Sequence, residues 1–511
     1  MRYLGTAAVL LFAAIVWRKG RGRHPSLLPW SDVNVLIDTD VHSYLERGTT
    51  DYGKVLSFYE RLKQDHPNLL FVMNGDWMDG TGLALSLPSL TPLLQRVPWD
   101  VVTLGNHELY RSDVLETMLA DLIPHWGDRF VTSNVHHAGT KQSVGRRFRI
   151  VQRVLCFGFL VQMSHPTPLV EIQLVQDAVQ EDWFREVLLQ TGDSFDSILV
   201  LAHMDAEDPD VIVLLQAIRE FVGATLPVLF VTGHTHRRAY VEPDASSASF
   251  QAGHYLDTIG FASYSLQGDF HHVFVDPEQL STYVGTTLDT PNGTALSRAI
   301  TETRDSLGLT KRIGCVPSRS LLLNTTVDAP NSLWKFVDEV LAPSFLSPNQ
   351  VLLLSKGNWA VSLHKGHLTV DDLIRVAPYN STLMLWKGLA VDDLHALVAT
   401  LNENPDTSYL PWLPMFLLLP SKRSLINDTY EVVLDEFEVP IIRAALERMD
   451  SAWGRYEPER TNWTTTNLWI DFFEAANMHR LSCADTIRGC RRSACWRNET
   501  TRSRCTYMSL G

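Results

Sequence analysis

The sequence predicts an α/β protein of two folded units, a larger first unit followed by a smaller mixed α/β one. Three observations predict it. The 511 residues exceed what a single core fills, at roughly 150 residues per domain. In the first half, short β-branched runs alternate with amphipathic stretches. After Asp276 the texture changes to a polar, Thr-rich connector before strand-like runs resume.

Taken in order, the β-branched runs lie at residues 33–37, 69–73, 101–104, 198–201 and 228–232, and each ends in polar residues. Such runs suit strands buried on both faces. Between the first two, Val55, Phe58, Tyr59 and Leu62 recur at i, i+3, i+4 and i+7, so residues 52–64 form an amphipathic helix. A similar stretch at 212–222 separates the last two runs. Residues 31–275 therefore read as a layered α/β unit whose ligand site lies beyond the strand C-termini, gathered along one sheet edge. Residues 276–314 read as a linker with a helical piece near 295–307. Residues 315–450 form the second unit, with strand candidates at 351–354, 382–386 and 431–434, and residues 451–511 a Cys-rich extension.

Composition narrows the function. With 45% hydrophobic and 20% charged residues the chain is globular, which excludes collagen, a disordered tail and a polytopic membrane protein. A formal charge of -14, from 44 Lys plus Arg against 58 Asp plus Glu, excludes nucleic acid as a partner, because phosphate backbones need dense basic surfaces. A small phosphorylated substrate stays compatible, since metal ions supply positive charge locally.

Residues 1–30 hold an apolar run at 3–17 followed by Arg18, Lys19, Arg21 and Arg23. Its length is that of a secretory signal, and its basic flank leaves a retained signal anchor, hence membrane contact, as the alternative. Asn-x-Ser/Thr acceptors occur at Asn292, Asn324, Asn380, Asn427, Asn462 and Asn498, all in the second half. Cys483, Cys490, Cys495 and Cys505 crowd into the terminal segment and read as two disulfides, in one of three pairings, rather than a zinc knuckle, as no pair has C-x2-C spacing. These features place the protein in the secretory pathway, secreted or in a vacuolar or lumenal compartment, with no lipid anchor indicated at the C-terminus.

The ends of the five strand candidates carry the chemistry. They deliver Asp40-Val41-His42, Gly75-Asp76, Gly105-Asn106-His107-Glu108, His203 and Gly233-His234-Thr235-His236. A pair of divalent cations needs a bridging carboxylate, neutral imidazoles and oxygen ligands, with positions left for water and substrate. Asp40, His42, Asp76, Asn106, His203, His234 and His236 supply that set. The glycines before Asp76, Asn106 and His234 permit sharp turns. Singly, a His-x-His or Gly-Asn-His is more often incidental than metal-binding; the joint occurrence in this order is not. Other histidines, among them His66, His136 and His254, have no such setting and read as solvated or locally satisfied. Asp79 and Glu108 flank the motifs and fit capping or exposure as readily as a supporting role.

In these stretches and their order, residues 31–275 resemble the calcineurin-like metallophosphoesterases, and within them the 5'-nucleotidase family. The resemblance implies a four-layer αββα domain followed by a smaller mixed α/β 5'-nucleotidase C-terminal-like domain. It implies that Asp40, His42 and His236 hold one metal, Asn106, His203 and His234 the other, and that Asp76 bridges. His107 would face the phosphoryl group as the catalytic imidazole, with Asn106 also touching substrate. The segment Gly366-His367-Leu368-Thr369-Val370-Asp371-Asp372-Leu373, followed by Ala377-Pro378-Tyr379-Asn380, resembles the family's base-stacking region and assigns substrate binding to Tyr379. Three departures stand out. Ser355-Lys356-Gly357-Asn358-Trp359-Ala360 replaces the family's Asn-Gly-Gly-Gly-Ile-Arg, no Gly-Gly-Asp-Gly-Phe loop follows Phe437, and Tyr110 occupies the place of the Asp that partners the catalytic His.

The chain thus resembles the secreted or vacuolar, fungal-type 5'-nucleotidase-like branch. The function this implies is hydrolysis of a small phosphorylated substrate such as a nucleotide, by a hydroxide activated on two divalent ions, zinc, manganese, iron or similar. The alternatives are a phosphodiesterase or nucleotide-sugar hydrolase, and a non-catalytic metal-binding glycoprotein.

Overall fold

The computed structural model describes residues 27–475, apart from 164, 191, 317–318, 404–414, 422–426, 450, 452–453 and 455. The apolar run at 3–17, Asn498 and the four terminal cysteines lie outside the described residues. Among the described residues no helix is long and apolar enough to cross a membrane, and Cys156 and Cys315 are both buried.

Two sheets build the first unit. In one, Val33–Asp38 runs parallel to Leu69–Asn74, with Asn34 opposite Leu69, and Leu69–Asn74 runs parallel to Val101–Thr103. Ile259–Tyr264 and Phe270–Val275 extend it antiparallel, making five strands. The other has six strands, with Ser197–His203 lying parallel between Val154–Leu160 and Val228–Thr232.

Alternation along each strand explains how the sheets stack. Val35, Ile37, Leu70 and Val72 point one way and bury against Leu199, Leu201, Leu229 and Val231 of the facing sheet. Leu36 and Phe71 point the other way, into a core shared with Val55, Phe58 and Leu62 of the helix Tyr52–Asp65. Ile198, Val200 and Phe230 likewise pack under Val211, Leu214 and Ile218 of the helix Pro209–Val222. The layers run helix, sheet, sheet, helix, as the resemblance implies. The five strand ends that carry the predicted ligands are consequently divided three to two between stacked sheets, not strung along one sheet edge. A run buried on both faces looks the same whether a helix or a second sheet covers it, so the pattern alone does not distinguish these cases.

The connector carries a packed helix, Pro291–Ser306, capped by Thr290 and laid across Tyr52–Asp65 where Gly53 meets Gly293. A β-carbon on Gly293 would stand 2.3 Å from the Gly53 carbonyl oxygen.

The second unit holds a five-stranded sheet in the order Phe416–Leu419, Gln350–Ser355, Thr429–Asp435, Thr382–Ala390 and Glu459–Thr464. Trp334, Trp359 and Trp469 fill the core on one face, and the helices Val391–Leu401 and Val439–Arg448 cover the other. The edge strand Glu459–Thr464 and the helix Thr465–Ala475 come from the stretch expected as an extension, and Trp469 ties them into this core. Asn292, Asn324, Asn380, Asn427 and Asn462 are all exposed.

Candidate metal centre

All seven predicted ligands converge. Donor atoms of Asp40, His42, Asp76 and His236 lie within 4.8 Å of one another, as do those of Asp76, His203 and His234, so Asp76 belongs to both groups. His203 Nε2 stands 3.1 Å from Asp76 Oδ2. Asn106 Oδ1 faces His203 Nε2 at 3.2 Å and His234 Nδ1 at 2.7 Å. His42 Nε2 and His236 Nε2 are 3.0 Å apart.

The backbone at these strand ends is strained. Asp40, His42, Asp76, Asp79, His234 and His236 all have positive φ, between 48° and 72°. Side-chain-bearing residues rarely occupy that region, and they cluster there where function demands it. Gly75, at φ 82°, makes the turn expected of it. Gly105 has a different role: a β-carbon there would sit 2.2 Å from Asp76 Oδ1 and 2.6 Å from His203 Cε1, so its glycine serves close approach.

Hydrogen bonds aim the donors. The Asn74 carbonyl accepts from His203 Nδ1 at 2.7 Å, which turns Nε2 toward Asp76. Asp40 accepts from the His234 backbone N–H at 2.8 Å and from Thr39 at 2.5 Å. Asn106 Nδ2 donates to Tyr110 Oη at 3.0 Å, leaving its carbonyl oxygen for the cluster. Glu108 accepts backbone N–H bonds from Gly105, Asp76, Trp77 and Met78, pinning the two middle loops together.

Electrostatics suit cations. Burial, with neighbouring His107, holds His42 well below the ordinary imidazole value, and burial with His42 does the same to His236. Burial and His203 lower His234 to about 4. These rings are neutral and present lone pairs. Burial pushes Asp40 up to about 7, with His203 opposing and Asp76 adding to it. Burial also disfavours ionisation of Asp76, but His203 and His107 hold it well below the carboxylate range. Against burial, the charge of Asp76 raises His203 to about 10. Facing lone pairs beside two buried carboxyl groups is a donor set that divalent cations satisfy.

His107 lies beside this cluster. Its backbone N–H donates to Asp76 at 2.9 Å, and its Nδ1 pairs with Asp79 Oδ2 at 3.0 Å. Although burial opposes it, Asp76 and Asp79 raise the imidazole to about 9. Tyr110 does replace the family's Asp in sequence, but the carboxylate partner is supplied by Asp79 from the preceding loop. The capping role weighed for Asp79 gives way to this pair; the only sequence signal was its place three residues after Asp76.

Tyr379, from the second unit, stacks on His107 with ring centres 5.8 Å apart and 24° between planes. Tyr110 meets His107 edge-on at 5.3 Å, and Phe437, 45% exposed, meets Tyr110 at 5.2 Å. The segment replacing the family's Arg motif turns inward: Trp359 is fully buried and Asn358 donates to Asp435 at 2.7 Å. His254, expected as solvated or locally satisfied, stacks on His236 at 4.6 Å.

Comparison with known proteins agrees with this geometry. Residues 33–238 match the family model described as calcineurin-like phosphoesterase. A protein of Arthroderma benhamiae, named only as a secreted protein, is 24% identical over 469 residues, covering 76% of this chain and 70% of its own. The fold superposes on a 5'-nucleotidase of Candida albicans with a TM-score of 0.80 at 20% identity, over 88% of this chain and 99% of that one. A 5'-nucleotidase precursor of Thermus thermophilus gives 0.65 at 16% identity, over 86% and 96%. At these identities the superpositions establish the shared fold.

Proposed function

We propose that this chain, whose residues 33–238 form a calcineurin-like phosphoesterase domain, hydrolyses phosphoesters of small molecules with two divalent cations. The observation that carries the reading is the double membership of Asp76, a buried carboxylate within reach of two separate donor groups. Asp40, His42 and His236 would hold one cation, Asn106, His203 and His234 the other. The mixed nitrogen and oxygen donors suit zinc, manganese or iron. When bound, such a pair supplies Lewis acidity and the acidified water that hydrolysis at neutral pH requires.

The chain's own residues do the remaining work. Asp79 holds Nδ1 of His107, which leaves Nε2 to donate its proton to the departing oxygen. Tyr110 anchors the amide of Asn106, keeping its carbonyl on the cluster. Tyr379 and Tyr110 wall the catalytic imidazole on two sides and limit its access to water.

A nucleotide is the first substrate class to test, because the superposed structures are named 5'-nucleotidases and the π faces of Tyr379 and Phe437 suit a base. The compartment we assign is the secretory route, supported by five exposed glycosylation acceptors and a relative named as secreted.

The test is phosphate release from a nucleoside monophosphate, a phosphodiester and a diphosphate, using metal-loaded full-length protein. The monoester should be cleaved. Asp76→Asn should abolish turnover and weaken metal loading, and His107→Ala should lower turnover by about 100-fold or more with metal retained. Full activity in either variant contradicts the assignment, and preference for the diester or diphosphate moves the substrate class.

A further inference from the structure

The second unit also reaches the metal cluster by a route that none of the ligand-bearing strand ends uses. Its helix Val370–Val376 opens with Asp371, which is fully buried. Asp371 accepts from the Gly82 backbone N–H at 2.8 Å and from Arg304 at 3.1 Å, and forms an ion pair with Arg375 at 2.8 Å. Three parts of the chain are joined there: a loop of the first unit, the connector helix and the second unit.

Held by Asp371, the Arg375 guanidinium lies over the Tyr44 ring, 4.9 Å from its centre. Tyr44 stacks on Tyr255 at 4.5 Å and 15°. Tyr255 packs edge-on against both His42, at 5.2 Å, and His236, at 5.1 Å. Its backbone N–H donates to the Asp40 carbonyl at 2.8 Å. Tyr255 and Leu256 both have positive φ, 53° and 54°, so this loop is held in place against backbone preference.

The two rings at the end of this series need such support. A metal-binding imidazole is normally oriented by a hydrogen bond on its other nitrogen. His203 has one, to the Asn74 carbonyl. Among the described residues, the rings of His42 and His236 hydrogen-bond only to each other. Packing fixes their orientation: His107 and Tyr255 flank His42, and His254 and Tyr255 flank His236. Tyr255 is common to both.

We infer that Arg375 is a positioning residue for the cation held by Asp40, His42 and His236, acting through Tyr44 and Tyr255. The inference rests on the dinuclear reading above. It makes one of the two cation sites depend on the second unit, while the site of Asn106, His203 and His234 does not.

The experiment titrates metal-stripped, full-length protein with Mn2+ by calorimetry. Wild type should bind two ions. Arg375→Met keeps the apolar stem and leaves Arg304 on Asp371; Tyr44→Leu leaves every ion pair of Asp371 intact. Each should weaken one binding event by about 10- to 100-fold and leave the other near wild type. The double variant should be no weaker than the worse single variant, because both changes break one series. Arg375→Lys, which keeps a cation over the ring, should recover part of the loss. Two wild-type-like binding events in folded Arg375→Met, equal weakening of both events, or additive losses in the double variant overturn the inference. If Arg375→Met does not fold, Tyr44→Leu alone decides it by the same outcomes. Wild-type protein that binds fewer than two Mn2+ overturns the dinuclear reading, and the inference with it.

Discussion

His107 and Asp79 show what a single contact decides. Asp79 sits at φ 62°, and that left-handed turn lets its carboxylate reach Nδ1 of His107 at 3.0 Å. Neutralising the carboxylate while keeping its shape removes the charge that supports the imidazolium form. Asp79→Asn should therefore lower kcat by about 10- to 100-fold while metal content stays at the wild-type level. Unchanged kcat would mean that Asp79 plays no part in turnover. The residues that converge on the cluster were legible from sequence, because each stands at or just after a strand end and the residue types match the chemistry of a cation site. Asp79 was not, because a carboxylate's reach depends on the turn that carries it. Glu108 was hidden for a similar reason: its four bonds go to backbone N–H groups, and backbone donors leave no mark in a sequence.

At the scale of elements, the turn from the strand Thr429–Asp435 into the helix Val439–Arg448 closes a buried polar cluster. Glu438 accepts from the Ser355 backbone N–H at 2.9 Å, and Asp435 from Asn358 at 2.7 Å. The segment that lacks the family's guanidinium is thereby committed to the interior of the second unit. Burial, with the charge of Asp435 next, pushes Glu438 up to about 8 from 4.5. The folded protein keeps a proton that the unfolded chain has already released, so this group's contribution to stability is present at low pH and is lost as pH rises toward 8. Denaturant unfolding at pH 5 and pH 8 should show wild type losing more stability across that interval than Glu438→Gln. Equal losses in the two proteins would contradict the account. The strands that end in the predicted ligands, three strands of the second unit and the helices Tyr52–Asp65, Pro209–Val222 and Pro291–Ser306 were legible within a few residues, since apolar patterning marks them. Val154–Leu160, Ile259–Tyr264, Phe270–Val275, Phe416–Leu419 and the helices Val391–Leu401 and Val439–Arg448 were not marked. The Gly53–Gly293 crossing was not, because an apolar stripe does not say which helix will lie across it.

At the scale of the whole molecule, folding brings together residues from Asp40 to His236, and Tyr379 from beyond them. Two stacked sheets deliver the clustered Asp, Asn and His side chains, and Tyr379 of the second unit stacks on the imidazole of His107. The α/β class and the two-unit organisation were readable from alternating strand and helix patterns. The stacking of sheet on sheet came only through resemblance, because burial on both faces does not name the covering layer. The contact of the second unit with the site was expected of Tyr379 alone; the Asp371 junction and the ring series to His42 and His236 depend on long-range packing that a local pattern does not carry.

The central claim is that Asp76 is shared between two cations. Anomalous diffraction from a crystal of manganese-loaded protein tests it most directly. Two peaks about 3.5–4 Å apart, with an Asp76 oxygen between them, are the predicted result. A single peak, or two peaks that Asp76 does not join, would contradict it.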